Sequence, residues 1–356
     1  MGTVTAGEVL SGYLHARAGD FLRGLRLYGE SGADTAAADE AARTLRGAAR
    51  RIGGALHTYR PLLDPVAADQ LRTELGWLSG TLAQEHACTA RLHRLLGALA
   101  RLSGAVPVPG SRTDSPVPGS RTGSGTAGRG PGPAAAHPGS GGVGTLTPGT
   151  LTVGASRAGA LLERQLTLAR TRAHSSTLQA LGSSRFHAVA DAVAVLASEA
   201  PLTGPADAPA GEILPGPGAV TEARLLDAVA VLPLGRASRP YNAEALVSGL
   251  ATASDGECQD APWHQVRRLL RLHRYAQEVW CPEGSPDPAL YAAGQALDRH
   301  RDAAEAAAAA ANAARTPRIA PTTAYALGVL HADQRHEVEA ARFAFQQLWQ
   351  KATSAR

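Results

Sequence analysis

The sequence predicts an all-α fold, and three observations support this. The chain is rich in Ala, Leu and Arg, which favour helices, whereas the aromatic residues that favour strands make up only 4% of it. Apolar and charged residues recur at helical spacing in several long segments. Asp-Pro pairs at Asp64-Pro65 and Asp287-Pro288 are typical of helix starts. These observations exclude an all-β sandwich and disfavour a doubly wound α/β fold.

The helices follow one another along nearly the whole chain, and a Pro/Gly-rich break separates two of them at Pro201–Pro217. We predict helices over Ala6–Leu27, Thr35–Leu62, Pro65–Leu102, Leu151–Leu181, Ser184–Ser198, Val220–Leu232, Ala243–Ala253, Ala261–Val279, Pro288–Ala314 and Pro321–Ala352. The nearly pure alanine run Glu305–Ala311 inside one helix requires close packing rather than bulky side chains.

Residues 104–150 form a low-complexity insert in which Gly, Pro, Ser and Thr dominate. The hexapeptide VPGSRT occurs there twice, beginning at Val108 and at Val117. Such a composition cannot form a packed core and predicts a disordered linker. We therefore expect a single helical domain over 1–356, with a first half at 6–103, the linker at 104–150 and the remainder at 151–352.

Several classes of protein are disfavoured by simple features. No run of about 18 apolar residues predicts a transmembrane helix, and the first ten residues do not resemble a signal peptide. Cys88, Cys258 and Cys281 are too few and too scattered for a disulfide framework or a zinc site. We expect a cytoplasmic protein without a bound metal or cofactor, and the sequence does not indicate an oligomeric state.

The basic residues are of one kind. Lys351 is the only lysine among 35 Lys and Arg residues, and the net charge is only +4. High genomic G+C content would produce the same bias without a functional reason. Arginine nevertheless grips phosphate bidentately. Because the net charge is small, an anion site must arise from local clustering.

The first cluster lies in the segment 41–60, which contains five arginines and one histidine but no acid. Arg43, Arg46, Arg50 and His57 are spaced 0, 3, 7 and 14, so they fall within about 60° of one another on a helix. Leu45, Ile52, Leu56 and Tyr59 occupy the other face. A solvated helix usually alternates Glu with Arg. This helix instead has a purely cationic polar face, which an anion would stabilise.

A second cluster lies about 220 positions later, in 262–275. His264, Arg267, Arg271 and Arg274 are spaced 0, 3, 7 and 10, Arg268 flanks them, and no acid occurs until Glu278. The shared spacing indicates an internal duplication. If the two stripes face each other, they line a positive groove that suits an extended polyanion. Nucleic acid would suit the charge, but few aromatic residues for base stacking accompany the stripes.

These segments resemble the CHAD family, the conserved histidine α-helical domain. Its first-helix motif VHxxRVxxRRLRxxLxxF matches Arg43–Gly53, and its second-half motif HxxRxxxKRxRY matches His264–Tyr275. Segments Arg60–Leu82, Leu181–Val193 and Ala324–Trp349 also resemble family helices, so the likeness covers the chain except the insert.

The sequence departs from the family pattern at four places. Arg43 replaces the hallmark histidine, Gly53 replaces an arginine, His86-Ala87 replaces an Arg-Asp pair, and Leu272 replaces an arginine in the second half. Asp302 keeps the acid of the repeat. The chain therefore resembles a divergent, stand-alone member, without the β-rich ExExK segment of the triphosphate-tunnel domains that often precede CHAD domains.

The resemblance implies two pseudo-repeated four-helix bundles around a basic central groove, and binding of inorganic polyphosphate without catalysis. It also allows recruitment to polyphosphate-containing granules. Arg185 resembles a basic family position. We expect the polyphosphate to contact Arg43, Arg46, Arg50, Arg51, His57, Arg185, His264, Arg267, Arg268, Arg271 and Arg274.

Three alternatives remain open from the sequence. The chain could be a degenerate scaffold that acts through protein partners, as the departures at Arg43, Gly53 and Ala87 would allow, or a helical nucleic-acid-binding protein. A phosphatase or polyphosphate kinase is poorly supported, because the sequence contains no HExxH, CxxC, GxSxG or Walker-type motif. We predict no catalytic residues and no metal ligands.

Overall fold

The computed structural model describes residues 4–32, 34–104, 148–239, 253–281 and 287–354. These residues form helices and short connections, and no strand occurs among them, so the all-α prediction is confirmed. The helices are α1 (Ala6–Glu30), α2 (Thr35–Thr58), α3 (Pro65–Leu102), α4 (Pro148–Leu181), α5 (Ser184–Leu196), α6 (Ala210–Ile213), α7 (Pro215–Ala230), α8 (Leu234–Ala237), α9 (Ala253–Trp280), α10 (Pro288–Ala314) and α11 (Pro321–Ser354). No helix in these ranges is long and apolar enough to cross a membrane.

Side-chain caps fix where several helices begin. Thr5 and Glu8 form a capping box at α1, which satisfies two backbone N–H groups that the helix leaves free. Asp64 Oδ1 accepts hydrogen bonds from the N–H groups of Val66 and Ala67, and Pro65 occupies the first turn of α3. Asp287 caps α10 in the same way. The two predicted Asp-Pro helix starts are therefore confirmed.

The first four-helix bundle contains α1, α2, the N-terminal half of α3, and α5. Its core is apolar, with fully buried Phe21, Ile52 and Leu78 contributed by three different helices. Burial of side chains of this size stabilises a fold by about 1.5–3 kcal/mol each. The arginines of α2 therefore lie on the side of this helix that faces away from the bundle core.

The second four-helix bundle contains α7, α9, α10 and the C-terminal half of α11, around Trp263, Leu297 and Phe345. A third apolar cluster joins the C-terminal half of α3 and α4 to α10 and the start of α11. The alanine run of α10 is buried there, as its close packing against α11 requires. The long helices α3, α10 and α11 thus hold the two bundles together.

The Pro/Gly-rich segment between α5 and α7 is more ordered than the sequence indicates. It contains a 3₁₀ turn at Gly204–Asp207 and the short helix α6, and α7 begins inside it at Pro215, where proline suits the first helical turn. Backbone hydrogen bonds tie this segment to the first bundle, from Asp64 N to Pro201 O at 2.8 Å and from Thr203 N to Leu62 O at 3.0 Å.

Other predicted boundaries shift in the structure. Helix α2 ends at Thr58 and is followed by a 3₁₀ turn at Arg60–Leu62. Helix α9 extends upstream through Pro262 to Ala253. The predicted helix Ala243–Ala253 lies outside the described residues except for its last position, and so does almost all of the 104–150 insert.

Buried ion pairs explain why α9 continues beyond Pro262. The Asp260 carboxylate accepts hydrogen bonds at 2.7 Å from Arg335 Nη1 and from Arg342 Nη2, both on α11. Arg342 also pairs with Glu339 at 2.7 Å and stacks over the Trp263 ring. The guanidinium of Arg335, which donates to this carboxylate, holds the pKa of Asp260 far below its usual range despite its burial. The start of α9 is therefore anchored to α11.

Candidate anion-binding groove

Helices α2 and α9 lie side by side, and contacts at one end of the pair fix their register. The Tyr59 hydroxyl donates a hydrogen bond of 3.0 Å to the Ala276 carbonyl. Arg51 Nε donates to Glu278 at 2.8 Å, and the Tyr13 hydroxyl donates to the same carboxylate at 3.0 Å. These contacts bring the two arginine stripes together, which their spacing alone left open.

The central cluster consists of Arg46 and Arg50 from α2, Arg271 from α9 and Arg301 from α10. Burial, together with repulsion from Arg50, Arg301 and Arg271, lowers the pKa of Arg46 to about 10. Burial also lowers the pKa of Arg271, and Arg50 adds to this effect. The buried Nε atoms of Arg46 and Arg50 have no hydrogen-bond partner among the described residues. Cations in this arrangement repel one another and would be stabilised by a bound anion.

On one side of the central cluster is the wide cavity, which has a volume of about 930 Å³. Its basic residues come from four helices, and Asp227 is the only acid among the described residues that line it. Burial and the neighbouring arginines Arg72, Arg224 and Arg268 lower the pKa of His57, which points into this space. The basic residues of the wide cavity are Arg50, His57, Arg72, Arg224, Arg268 and Arg271.

The narrow cavity follows one helical turn further along α2 and α3, and has a volume of about 420 Å³. It is lined by Arg46, His86, Arg91, Arg94 and Arg301, but also by Asp302 and Glu305. Arg91 Nη2 donates to Glu305 at 2.6 Å, and Arg301 pairs with Asp302 at 2.5 Å. The central cluster lies between the two cavities, because Arg50 and Arg271 line the wide cavity and Arg46 and Arg301 line the narrow one. We call these three parts together the groove, and its narrow end carries its own counter-charges.

Those counter-charges come from one face of α10. Asp298, Asp302 and Glu305 are spaced 0, 4 and 7, which places them on one side of a helix. Asp298 pairs with both Arg267 and Arg271, at 3.4 Å in the second pair. Burial is the main cause of the lowered pKa of Arg267. Arg267 and Arg271 of α9 are therefore partly neutralised, whereas no acid in the described part of the chain pairs with Arg46 or Arg50 of α2.

The structure does not bring all of the predicted residues into the groove. Arg43 is exposed at its edge and pairs with Glu40 at 2.9 Å. Arg51 is turned away from Arg50 by about 100° on the helix, and pairs with Glu278 outside the two cavities. Arg274 stacks over Tyr291, with its Cζ 4.8 Å from the ring centroid. His264 packs edge-on against His300, with 5.4 Å between ring centroids.

Arg185, which we expected to contact the ligand, lines neither cavity of the groove. Its Nε donates to Glu74 at 2.6 Å, and its guanidinium lies over the Trp77 ring at 4.1 Å. Both partners belong to α3. Arg185 therefore lines a separate, mainly apolar pocket between α3 and α5. Its contacts with Glu74 and Trp77 hold the side chain there, away from the groove.

Five arginines of the groove are not predicted from the sequence. Arg72 and Arg224 line the wide cavity, Arg301 belongs to the central cluster, and Arg91 and Arg94 line the narrow cavity. The one feature of the sequence that points to Arg72 is that Gly76 and Ser79 follow it at helical spacing on α3. Their small side chains leave this face of the helix open. Arg224 is an isolated arginine on α7 and gives no signal. No group of three metal-ligating side chains occurs in the described ranges.

The fold and the groove define an all-α protein with an arginine-lined cleft between two helical bundles. The sequence model of the CHAD domain matches residues 17–311, so the chain belongs to the CHAD family. It is similar to PptA from Streptomyces chartreusis, with 54% sequence identity over 98% of this chain and 100% of that one, and a TM-score of 0.73. No curated protein matches the chain.

Proposed function

We propose that the groove binds inorganic polyphosphate and does not catalyse its conversion. The observation that carries this proposal is the central cluster, in which Arg46 and Arg50 hold buried Nε atoms without a partner among the described residues. A buried guanidinium without a counter-charge destabilises the fold. Phosphate oxygens would satisfy it, because charge-assisted hydrogen bonds to arginine are strong and bidentate.

The dimensions of the groove support an extended ligand rather than a single phosphate. Basic side chains continue from Arg224 and Arg72 in the wide cavity, through Arg50 and Arg46, to Arg91 in the narrow cavity. Each internal phosphate of the polymer carries about one negative charge. A chain lying along the groove would thus meet a guanidinium at successive positions.

Nucleic acid is the second candidate ligand, and the groove fits it less well. Binding of single strands usually includes stacking of bases on exposed aromatic rings. Tyr275 is the aromatic residue in the wall of the wide cavity, and it is buried. The remaining alternative is a scaffold that binds a protein partner and no anion.

The test is a calorimetric titration with long-chain polyphosphate at low and at physiological salt, with single-stranded DNA as competitor. We expect salt-dependent binding that DNA does not displace. Charge reversal at Arg46 or at Arg267 should weaken binding by at least about tenfold, since one charged hydrogen bond contributes roughly 1.5–3 kcal/mol. Equal competition by DNA would favour nucleic acid, and no binding at either salt would favour the scaffold.

Arg185→Gln provides the matched control, because it also removes one arginine but lies outside the groove. Its affinity for polyphosphate should equal that of the unmodified protein. If Arg185→Gln and Arg46→Glu weaken binding equally, the ligand is attracted by overall charge and the groove assignment is wrong. Localisation at polyphosphate-containing granules stays a prediction of this proposal.

A further inference from the structure

The wide cavity has a property that inorganic polyphosphate does not require. Between its arginines, the walls are formed by apolar side chains, of which Val231 is exposed and Leu272 is partly exposed, in front of the buried Leu75, Leu269 and Tyr275. Inorganic polyphosphate has no apolar surface, so it would leave Val231 and Leu272 in contact with water. Burial of apolar surface contributes about 25 cal/mol per Å², and an inorganic ligand would gain nothing from it here.

The cavity floor is also kept empty by glycines. A Cβ at Gly76 would have no heavy atom within 4 Å, and a Cβ at Gly53 would meet only Arg72 Cγ at 3.9 Å. The resulting volume of about 930 Å³ is at the upper end of the range of pockets for small organic ligands. A chain of phosphates is narrow and would not fill it.

We propose that the wide cavity holds the organic moiety of a phosphorylated small molecule whose phosphates extend into the central cluster. The ligand class is an organic di- or triphosphate with an apolar or heterocyclic group. The charge pattern gives its orientation. Arg50 and Arg271 lie where the wide cavity meets the central cluster and take the phosphates, while Leu272 and Val231 contact the organic group.

This inference extends the proposed function, because both ligands would share the central cluster but only the organic one uses the apolar walls. The experiment compares matched pairs of probes by calorimetry. One pair is ATP and tripolyphosphate, and the other is geranyl diphosphate and pyrophosphate. We expect the organic member of at least one pair to bind about tenfold more tightly, which corresponds to about 1.4 kcal/mol. The pair that shows the preference tells whether the group is heterocyclic or aliphatic.

Two variants attribute the preference to the cavity. Gly76→Leu fills the space next to Leu75 and should reduce the organic preference to less than about threefold, with little effect on tripolyphosphate. Gly53→Arg adds a cation to the same space. It should strengthen tripolyphosphate binding and abolish the preference, an effect that misfolding would not produce. Gly80→Leu is the matched control, since Gly80 is on the same helix, has no neighbour within 4 Å and lines neither cavity.

The outcomes separate this inference from the proposed function when long-chain polyphosphate is titrated in parallel. Equal affinities within both pairs, or equal losses for both members in Gly76→Leu, would overturn the inference. Binding of long-chain polyphosphate alone would also overturn it and leave the proposed function standing. Binding of an organic probe without binding of long-chain polyphosphate would support the inference and refute the proposed function.

Discussion

Gly54 of α2 packs directly against Tyr275 of α9, so closely that a Cβ on Gly54 would lie 2.7 Å from Tyr275 Cδ2. Real Cβ atoms do not approach a ring carbon so closely, and the ring is buried and cannot move away freely. The absence of a side chain at this position therefore sets the distance between the two helices that carry the arginine stripes.

Gly54→Ala is expected to destabilise the protein by about 1–3 kcal/mol, the usual result of overpacking a core. It should also weaken polyphosphate binding, because α2 and α9 are forced apart and Arg50 moves away from Arg271. Thermal unfolding and calorimetric titration measure the two effects. Gly47→Ala is the control on the same helix.

A Cβ at Gly47 would meet only Arg51 Nη1, at 3.6 Å. Gly47→Ala should therefore raise the stability of the protein by up to about 1 kcal/mol through helix propensity, with unchanged binding. Unaltered stability in Gly54→Ala would show that the two helices are not held by this contact.

The sequence predicts the helices and the two arginine stripes because both depend on local periodicity, but it does not determine that the stripes face each other. The spacing of Arg46 and Arg50 on α2, and of Arg267 and Arg271 on α9, is sufficient to place each pair on one side of its helix. The acid-free character of the two segments indicates that these sides need an anion.

Residues whose role depends on a distant partner are not predictable in this way. Arg224 reaches the wide cavity only because α7 packs against α9, and nothing in its own segment indicates this. From the sequence, Arg185 could equally well face the groove or point away from it. It points away because it contacts Glu74 and Trp77, which are more than 100 positions away in the sequence.

The ion pairs of Asp298 suggest that this carboxylate competes with the ligand. It pairs with Arg267 and Arg271 in the groove, and a bound polyphosphate must displace it or lie beside it. Asp298→Asn should strengthen polyphosphate binding by about threefold to tenfold, because repulsion between carboxylate and phosphate is removed. Without ligand the variant should be less stable, since two partly buried arginines lose their counter-charge.

Asp191→Asn is the control for the change in net charge, because Asp191 is exposed on α5 and lines neither cavity. It should change affinity by less than about twofold. If Asp298→Asn weakens binding, Asp298 positions Arg267 and Arg271 for the ligand instead of competing with it. Calorimetry and thermal unfolding with and without polyphosphate distinguish these cases.

Polyphosphate binding should strengthen as the pH falls through the range in which His57 titrates. Burial and the arginines Arg72, Arg224 and Arg268 lower the pKa of His57, so the empty groove favours the neutral ring. A phosphate placed beside it reverses this preference and raises the pKa. Binding should therefore take up protons in this range, which is measured by calorimetry in buffers of different ionisation enthalpy.

His57→Gln should lose this proton uptake while His264→Gln, which removes another histidine with a lowered pKa, should retain most of it. Long-chain polyphosphate is the suitable ligand because its few terminal phosphates contribute little to the titration. Identical proton uptake in His57→Gln and in the unmodified protein would show that His57 does not face the ligand.

His300 makes the stability of the second bundle sensitive to acid. Burial, above all, lowers its pKa from 6.5 to about 4, and its Nε2 accepts a hydrogen bond of 3.3 Å from Arg342 Nε. Between these two pKa values the unfolded chain binds a proton that the folded chain does not. Stability must therefore fall as the pH decreases from about 6.5 to about 4, by roughly 3 kcal/mol from this residue.

Denaturant unfolding at several pH values tests this expectation. His300→Gln keeps an acceptor for Arg342 but removes the titrating ring, so its stability should be lower at pH 7 and should change less between pH 6.5 and pH 4. His187→Gln, at an exposed position on α5, should keep the full decrease. An equally steep decrease in His300→Gln would assign the acid sensitivity to other groups, because a variant without the imidazole cannot take up its proton.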